Sequence, residues 1–166
     1  MDRQAGGTNV NQEERIMAEF TELFSKWVWL NKSKLEASLN EHQSSEVHCI
    51  EYIGKHTDPN VTRLASALYM TSGAISKIMK KLIRKGLVES YKKPDNKKEI
   101  YFRLTKRGAD VYRIHEELHE EFRERDRAVF EQVTAEQFDG MLRFMESYGR
   151  HLDEEIRKQG LGTKAE

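Results

Sequence analysis

The sequence predicts a mainly α-helical fold that contains one small β-hairpin. Apolar residues recur three or four positions apart over most of the 166 residues, as they do along the buried side of an amphipathic helix. Only two prolines interrupt this pattern, which leaves room for long helices. Between Gly86 and Thr105 the apolar period changes to two, which is typical of paired strands.

The first predicted helix is long, and a shorter helix follows it. It covers about residues 12–40, where one helical face carries Phe20, Leu23, Phe24, Trp27, Leu30, Leu35 and Leu39. A second helix is predicted over residues 45–55, with Val47, Ile50 and Ile53 facing inward and Gly54 near its end. The segment His-Thr-Asp-Pro-Asn then favours a turn.

The next two helices are predicted to form a helix-turn-helix. Thr62 is expected to cap a short third helix. Thr71 or Ser72 is expected to cap a fourth, which runs to Lys85 and stops at Gly86. In this fourth helix the residues expected to face the core are Ile75, Ile78, Met79 and Leu82. A short helix, a tight turn and a helix with a polar tip form a common DNA-binding unit.

The hairpin and two long helices complete the predicted fold. Residues 87–93 and 98–104 flank the turn sequence Pro-Asp-Asn, so they predict two antiparallel strands. Thr105 is placed to cap a fifth helix. Thr134 and Gln137 are spaced to form a capping box at the start of a sixth.

Composition restricts the classes of protein that the sequence fits. A length of 166 residues is most simply one domain. The single cysteine, Cys49, excludes an internal disulfide and fits a reducing cytoplasm. No apolar run approaches the roughly 20 residues that a membrane span needs, and no secretory signal is visible at the start. We therefore expect a cytoplasmic protein that does not enter a membrane.

A net charge of zero conceals a strongly basic segment. Nine Lys and Arg residues lie between Lys77 and Lys98, against only Glu89 and Asp95. Residues 115–139 carry nine Asp and Glu residues against three Arg. A local basic face can bind a polyanion while an acidic body keeps the chain soluble.

The basic segment predicts binding to double-stranded DNA. Short side chains at the tip of the fourth helix let it enter the major groove, where flanking lysines reach bases or phosphates. Lysines of the hairpin, which acts as a wing, would meet the DNA backbone or the minor groove. The candidate DNA-binding residues are Thr71, Ser72, Gly73, Ser76, Lys77, Lys80, Lys93, Lys97 and Lys98.

The sequence resembles the MarR-type winged helix-turn-helix transcriptional regulators over about residues 12–158. The similarity is carried by VTRLASALYMTSGAISKIMKKLIRKGLVE, by PDNKKEIYFRLT in the wing, and by LTKRG at the start of the fifth helix. It implies a winged helix-turn-helix lobe at about residues 45–104, flanked by long dimerisation helices at about 12–40 and 105–158. A single domain over 1–166 would then contain both parts.

The resemblance also implies a function. Members of this family are homodimers that bind a pseudo-palindromic operator, most often as repressors released or activated by a small ligand or a metal ion. In the wing, the Asp-x-Arg pattern of the family occurs as Asp95, Asn96 and Lys97. The resemblance implies that Asp95, like the aspartate of the family pattern, holds the base of the wing. The alternative is a winged-helix interaction or dimerisation module without DNA binding, and the basic helix and wing argue against it.

Three kinds of signal remain open. His115 and His119 lie four residues apart on one helix face, a spacing that can chelate zinc or another divalent metal ion. The zinc-sensing members of the family are similar, which implies His48 as a third ligand and Glu36 or Asn31 as a fourth. An organic ligand could bind between Trp27, Trp29, Tyr52 and Tyr112, and Cys49 could act as a thiol switch.

Residues 115–119 also match the short His-Glu-x-x-His pattern of zinc proteases. A protease needs a third ligand and a substrate cleft, and this helix is expected at the hub of a dimer. The sequence therefore predicts a regulator and not an enzyme.

Overall fold

The computed structural model describes residues 5–39 and 42–159. The elements are α1 (Ala5–Leu39), α2 (Ser44–Lys55), α3 (Val61–Ala67), α4 (Ser72–Arg84), β1 (Val88–Tyr91), β2 (Tyr101–Leu104), α5 (Lys106–Phe130) and α6 (Ala135–Lys158). The predicted mainly α-helical fold with one hairpin is confirmed. Helix α1 belongs to one compact unit, and the elements from α2 to α6 belong to a second.

Helix α1 is a single helix of 35 residues. It begins at Ala5, seven residues before the predicted start at 12, because apolar spacing marks only the part of a helix that has an apolar face. Its predicted last residue, 40, lies outside the described residues. Several large apolar side chains of α1 are exposed: Ile16, Met17, Phe20, Leu23, Phe24, Trp27, Val28, Trp29 and Leu30.

Polar caps start most of the remaining helices. Thr71, Thr105 and Thr134 cap α4, α5 and α6, and Thr134 forms the predicted capping box with Gln137. The prediction that Thr62 caps α3 was wrong. The cap is Asn60, whose Oδ1 accepts a hydrogen bond of 2.8 Å from the amide of Arg63. An Asn side chain is the better cap, and once Asn60 starts the helix, Thr62 falls inside the first turn.

The core of the second unit lies between α2, α3, α4 and the hairpin. Its buried residues are Cys49, Ile50, Ile53, Leu64, Ala65, Ile75, Met79, Leu82, Leu87, Val88 and Phe102, with Ile78 partly buried against them. The strands are antiparallel, with Val88 opposite Leu104 and Tyr91 opposite Tyr101. Each strand has four residues, fewer than predicted, since the alternating pattern continues into an exposed wing tip.

Two glycines lie where the chain leaves α4 and where it enters α5. Gly86 ends α4 with a φ of 70°, a left-handed conformation that glycine adopts without strain. A Cβ on Gly108 would lie 1.9 Å from the carbonyl oxygen of Leu87, so only glycine lets the start of α5 approach β1.

Helix α2 packs against α5, and α6 carries exposed apolar residues: Met141, Leu142, Phe144, Met145 and Leu152. Within the described residues, no helix is long and apolar enough to cross a membrane.

Candidate nucleic-acid interface

The tip of α4 presents small polar groups to solvent. The hydroxyl of Thr71 accepts a hydrogen bond of 3.2 Å from the amide of Ala74, so it caps the helix. Ser72 and Gly73 are exposed, and apart from the adjoining backbone of α4 no atom of the described residues lies within 4 Å of the point where a Cβ of Gly73 would be. The first turn of α4 can therefore approach another surface closely.

Helix α4 has one buried side and one basic side. Ile75, Met79 and Leu82 are buried in the core. Lys77 and Lys80 are exposed on the other side of the helix. This division places the two lysines beside the open tip, and Ser76 is half-buried between the two sides.

Two lysines of the basic segment pair with a buried carboxylate of the lobe. The side chain of Glu46, on α2, is only 1% exposed, and its two carboxylate oxygens lie 3.0 Å from the Nζ atoms of Lys81 and Lys85. The same carboxylate accepts a hydrogen bond of 2.9 Å from the amide of Gln43. Burial acts to raise the pKa of Glu46, but these hydrogen bonds outweigh it and the pKa is lowered. Glu46 is therefore charged near neutral pH and ties α2 to the end of α4.

The predicted wing lysines occupy two environments. Lys97 and Lys98 are exposed at the tip. Lys93 is half-buried, forms an ion pair with Asp58, and has its Nζ 5.0 Å from the ring centroid of Tyr101. The hydrogen bond to Asp58 raises the pKa of Lys93. The carboxylate at the base of the wing is thus Asp58, whereas Asp95 is exposed at the tip.

His115 and His119 lie together where α2 packs against α5. Their Nε2 atoms are 3.0 Å apart. His115 is 3% exposed, and its Nδ1 has no hydrogen-bond partner among the described residues. Burial, followed by the charge of His119, lowers the pKa of His115, which favours the neutral form of its ring.

The acidic neighbours of this pair differ from the predicted ligands. Glu51, His115 and Glu116 each place a ligand atom within 4.8 Å of the others. His48 is exposed on α2 and lies outside that group. Glu51 was missed by the sequence analysis, although it follows His48 by three residues and so lies on the same side of α2.

The predicted fourth ligands are both on α1. Glu36 is exposed, with its Oε1 3.8 Å from the Nζ of Lys32, and Asn31 is buried.

The candidates for an organic pocket or a thiol switch have other surroundings. Trp27 and Trp29 are exposed on α1. Tyr52 stacks on His56 with ring centroids 4.0 Å apart, and Tyr112 packs against Gly54. Burial raises the pKa of the fully buried Cys49 thiol to about 12, which leaves it protonated and shielded from oxidants.

Comparison with known proteins places the chain in a family. The sequence profile of the MarR family matches residues 43–100. The uncharacterized HTH-type transcriptional regulator YhjH of Bacillus subtilis (strain 168) is 31% identical over 132 residues, which is 74% of this chain and 75% of that protein. The chain belongs to the MarR family. It is a DNA-binding transcriptional regulator.

Two further similarities agree with this membership. The HTH-type transcriptional regulator PchR of the same organism is 26% identical over 148 residues, or 81% of this chain and 88% of that protein. The crystal structure of Streptococcus pneumoniae FabT in complex with DNA has the same fold, with a TM-score of 0.72 and 22% identity over 86% of this chain and 98% of that one. The sequence relatives are regulators and not enzymes. In the His-Glu-x-x-His pattern of this chain, Glu116 and Glu117 are paired with Lys55 and Arg113.

Proposed function

We propose that this MarR-family regulator is a homodimeric repressor whose two α4 helices enter successive major grooves of a pseudo-palindromic operator. The observation that carries the proposal is the two-sided α4, which has a buried apolar side, an open tip at Ser72 and Gly73, and exposed Lys77 and Lys80. Short residues let the tip reach base edges, and lysines beside it reach bases or phosphates. Thr71 is exposed beside this tip, and its hydroxyl, which accepts the capping hydrogen bond, still has its own hydrogen to donate.

The exposed apolar faces of α1 and α6 support the homodimer. Each is a long helix that leaves large apolar side chains in water, such as Phe24 on α1 and Leu142 on α6. A second copy of the chain would cover them. In a symmetric dimer, the two α4 helices must lie about 34–36 Å apart to meet half-sites one DNA turn apart. A regulator of this kind works beside the chromosome, which agrees with the expected cytoplasmic location.

The wing would add contacts beside the major groove. Lys97 and Lys98 are exposed at its tip and free to reach phosphates. Lys97 stands where the family pattern has Arg. A lysine is a strongly hydrated point charge, so phosphate contact suits it better than insertion into a narrow minor groove.

A divalent metal ion such as zinc is the effector that the side chains fit best. His115 lies within ligand reach of the carboxylates of Glu51 and Glu116, and the Nε2 of His119 is 3.0 Å from that of His115. Lys55 pairs with both carboxylates, so a bound metal ion would displace its ammonium group. Tetrahedral zinc with two nitrogens at about 2.0–2.1 Å sets those nitrogens roughly 3.3 Å apart, close to the 3.0 Å found here. His48, the third ligand that the resemblance implies, is exposed on α2 and lies outside this group.

Such a metal would join α2 to α5, and α2 also holds α4 through Glu46. Metal binding could then favour one position of α4 over another. An effector acts only through such a difference in its affinity for two states.

Selection of binding sites from random duplex DNA tests the proposal. We expect selected sites with two inverted half-sites about one turn apart, bound by two protomers. Sites without inverted symmetry, or binding by one protomer, would contradict the dimeric mode. The titration is then repeated with zinc and with chelator for wild type, His115→Ala and the exposed control His151→Ala. A zinc response that survives in His115→Ala would remove His115 from the effector site.

A further inference from the structure

We propose that Asp58 is a positioning residue for DNA binding, which holds the wing through Lys93 and Tyr91. Lys93 then serves inside the protein and not at the DNA. The inference rests on the proposed function of the wing as a DNA contact, and it changes which of the wing lysines make that contact.

The carboxylate of Asp58 binds one arm of the wing with both of its oxygens. Tyr91, the last residue of β1, donates its hydroxyl to Oδ1 at 2.7 Å. Lys93 donates its Nζ to Oδ2 and lies over the ring of Tyr101. With its ammonium group between a carboxylate and an aromatic face, Lys93 is directed toward the body of the lobe.

The same turn also binds the other arm of the wing. Asn60 donates its side-chain amide to Glu99 at 2.9 Å, just before β2. The carbonyl of Pro59 accepts a hydrogen bond of 2.9 Å from the amide of Phe102. Residues 58–60 therefore attach to both strands of the hairpin where it leaves the core.

The turn is itself held in shape. Asp58 has a φ of 52°, in the left-handed region that few residues other than Gly, Asn and Asp adopt readily. Arg63, on α3, donates its Nη1 to the carbonyls of Asp58 and Thr57 at 3.1 and 3.3 Å. These bonds fix the backbone of Asp58 and with it the direction of the carboxylate.

The wing needs such an attachment because its own pairing is short. Strands β1 and β2 pair over four residues each. A two-stranded hairpin of this kind is marginally stable by itself in water. Without the contacts at its base, the tip that carries Lys97 and Lys98 would sample many positions, and ordering it on DNA would cost free energy.

The two possible roles of Lys93 predict opposite effects of Asp58→Asn. If Lys93 contacts phosphate, loss of the aspartate charge frees the lysine, so DNA affinity and its salt dependence both rise. If Asp58 positions the wing, affinity falls while the number of phosphate contacts, and hence the salt slope, stays the same. Asparagine tolerates the left-handed backbone, so the turn keeps its shape.

The test is a fluorescence-anisotropy titration of the full-length protein onto a duplex that the wild type has selected from random DNA, at several salt concentrations. We expect Asp58→Asn and Lys93→Gln to weaken binding by about twofold to fivefold with little change in the salt slope. The double variant should bind DNA no more weakly than the weaker-binding of the two single variants. The matched control Lys97→Gln removes two phosphate contacts per dimer and should reduce the slope by about 2.

Four results would separate the possibilities. Tighter binding by Asp58→Asn, or a fall in slope for Lys93→Gln equal to that of Lys97→Gln, would overturn the positioning role. An unchanged salt slope for Lys97→Gln would overturn the proposed contact between the wing tip and DNA. Whether Asp58→Asn raises or lowers the DNA affinity would still decide the positioning role of Asp58. Tyr91→Phe, which loses only the hydroxyl, gives a second measurement if Asp58→Asn folds poorly, and unaltered binding by it would count against the positioning role.

Discussion

The ion pairs between Glu46 and the end of α4 should make a measurable contribution to stability. Glu46→Gln keeps the shape of the side chain and its ability to accept a hydrogen bond from Gln43, but it removes the charge that binds Lys81 and Lys85. The carboxylate is 1% exposed, whereas the lysine side chains are 37% and 29% exposed. Water therefore screens the interaction from the lysine side only.

The expected loss follows from that geometry. Two charge-assisted contacts to partly exposed lysines are together worth about 1–2 kcal/mol. For a protein of this length, that corresponds to a fall in Tm of about 2–8 °C. The control Glu89→Gln breaks an ion pair with Arg103 in which both side chains are more than half exposed, so it should cost less than about 1 kcal/mol.

Thermal unfolding followed by circular dichroism measures this difference. Wild type and both variants are compared at one protein concentration, because dimerisation makes Tm depend on concentration. The pKa of Glu46 is lowered in the folded state, below the ordinary 4.5. Its stabilising effect is therefore complete at pH values above the unfolded-state pKa and is lost as pH falls through the lowered folded-state pKa.

The difference between wild type and Glu46→Gln should accordingly be full at pH 7 and shrink in acid. A Glu46→Gln variant as stable as Glu89→Gln at pH 7 would refute the reasoning. So would a deficit that stays constant into strong acid, since the charge would not then be its cause.

Three further predictions concern packing, reactivity and assembly. Gly108→Ala should lower the free energy of unfolding by more than about 3 kcal/mol in chemical denaturation, because the new methyl group meets the carbonyl of Leu87. Its control, Gly73→Ala, lies in open space within α4 and should raise the free energy of unfolding by about 0.5–1 kcal/mol while it weakens DNA binding. Cys49 should react with a thiol reagent at pH 8 only as fast as the protein unfolds, and rapid labelling of the native protein would contradict its burial. Leu142→Glu should shift sedimentation from dimer to monomer, and an intact dimer would show that this part of α6 is not in the interface.

The sequence was informative where structure depends on neighbours along the chain. The caps at Thr71, Thr105 and Thr134 are local hydrogen bonds, and the pair His115 and His119 needs only helical spacing. Asn60 was missed as a cap because two capping residues stand two positions apart, and composition alone does not choose between them.

Sequence patterns did not predict the contacts between residues that are far apart along the chain. Glu46 and Lys81 are 35 residues apart, as are Asp58 and Lys93. The first pair meets because α2 packs beside α4, and the second because the turn after α2 packs beside the wing. The basic segment therefore looked uniform in the sequence, although part of it neutralises carboxylates of the lobe. Glu51 joined the histidines for the same reason, through the packing of α2 on α5.

The measurement that tests the central claim most directly is the affinity of Lys77→Gln with Lys80→Gln for the selected duplex. A matched control, Lys26→Gln with Lys32→Gln, removes the same charge from the exposed surface of α1. With α4 as the recognition helix, the first variant binds at least about tenfold more weakly with a smaller salt slope, while the control stays close to wild type. Wild-type affinity and slope in a folded Lys77→Gln, Lys80→Gln protein would contradict the assignment of α4 to the DNA.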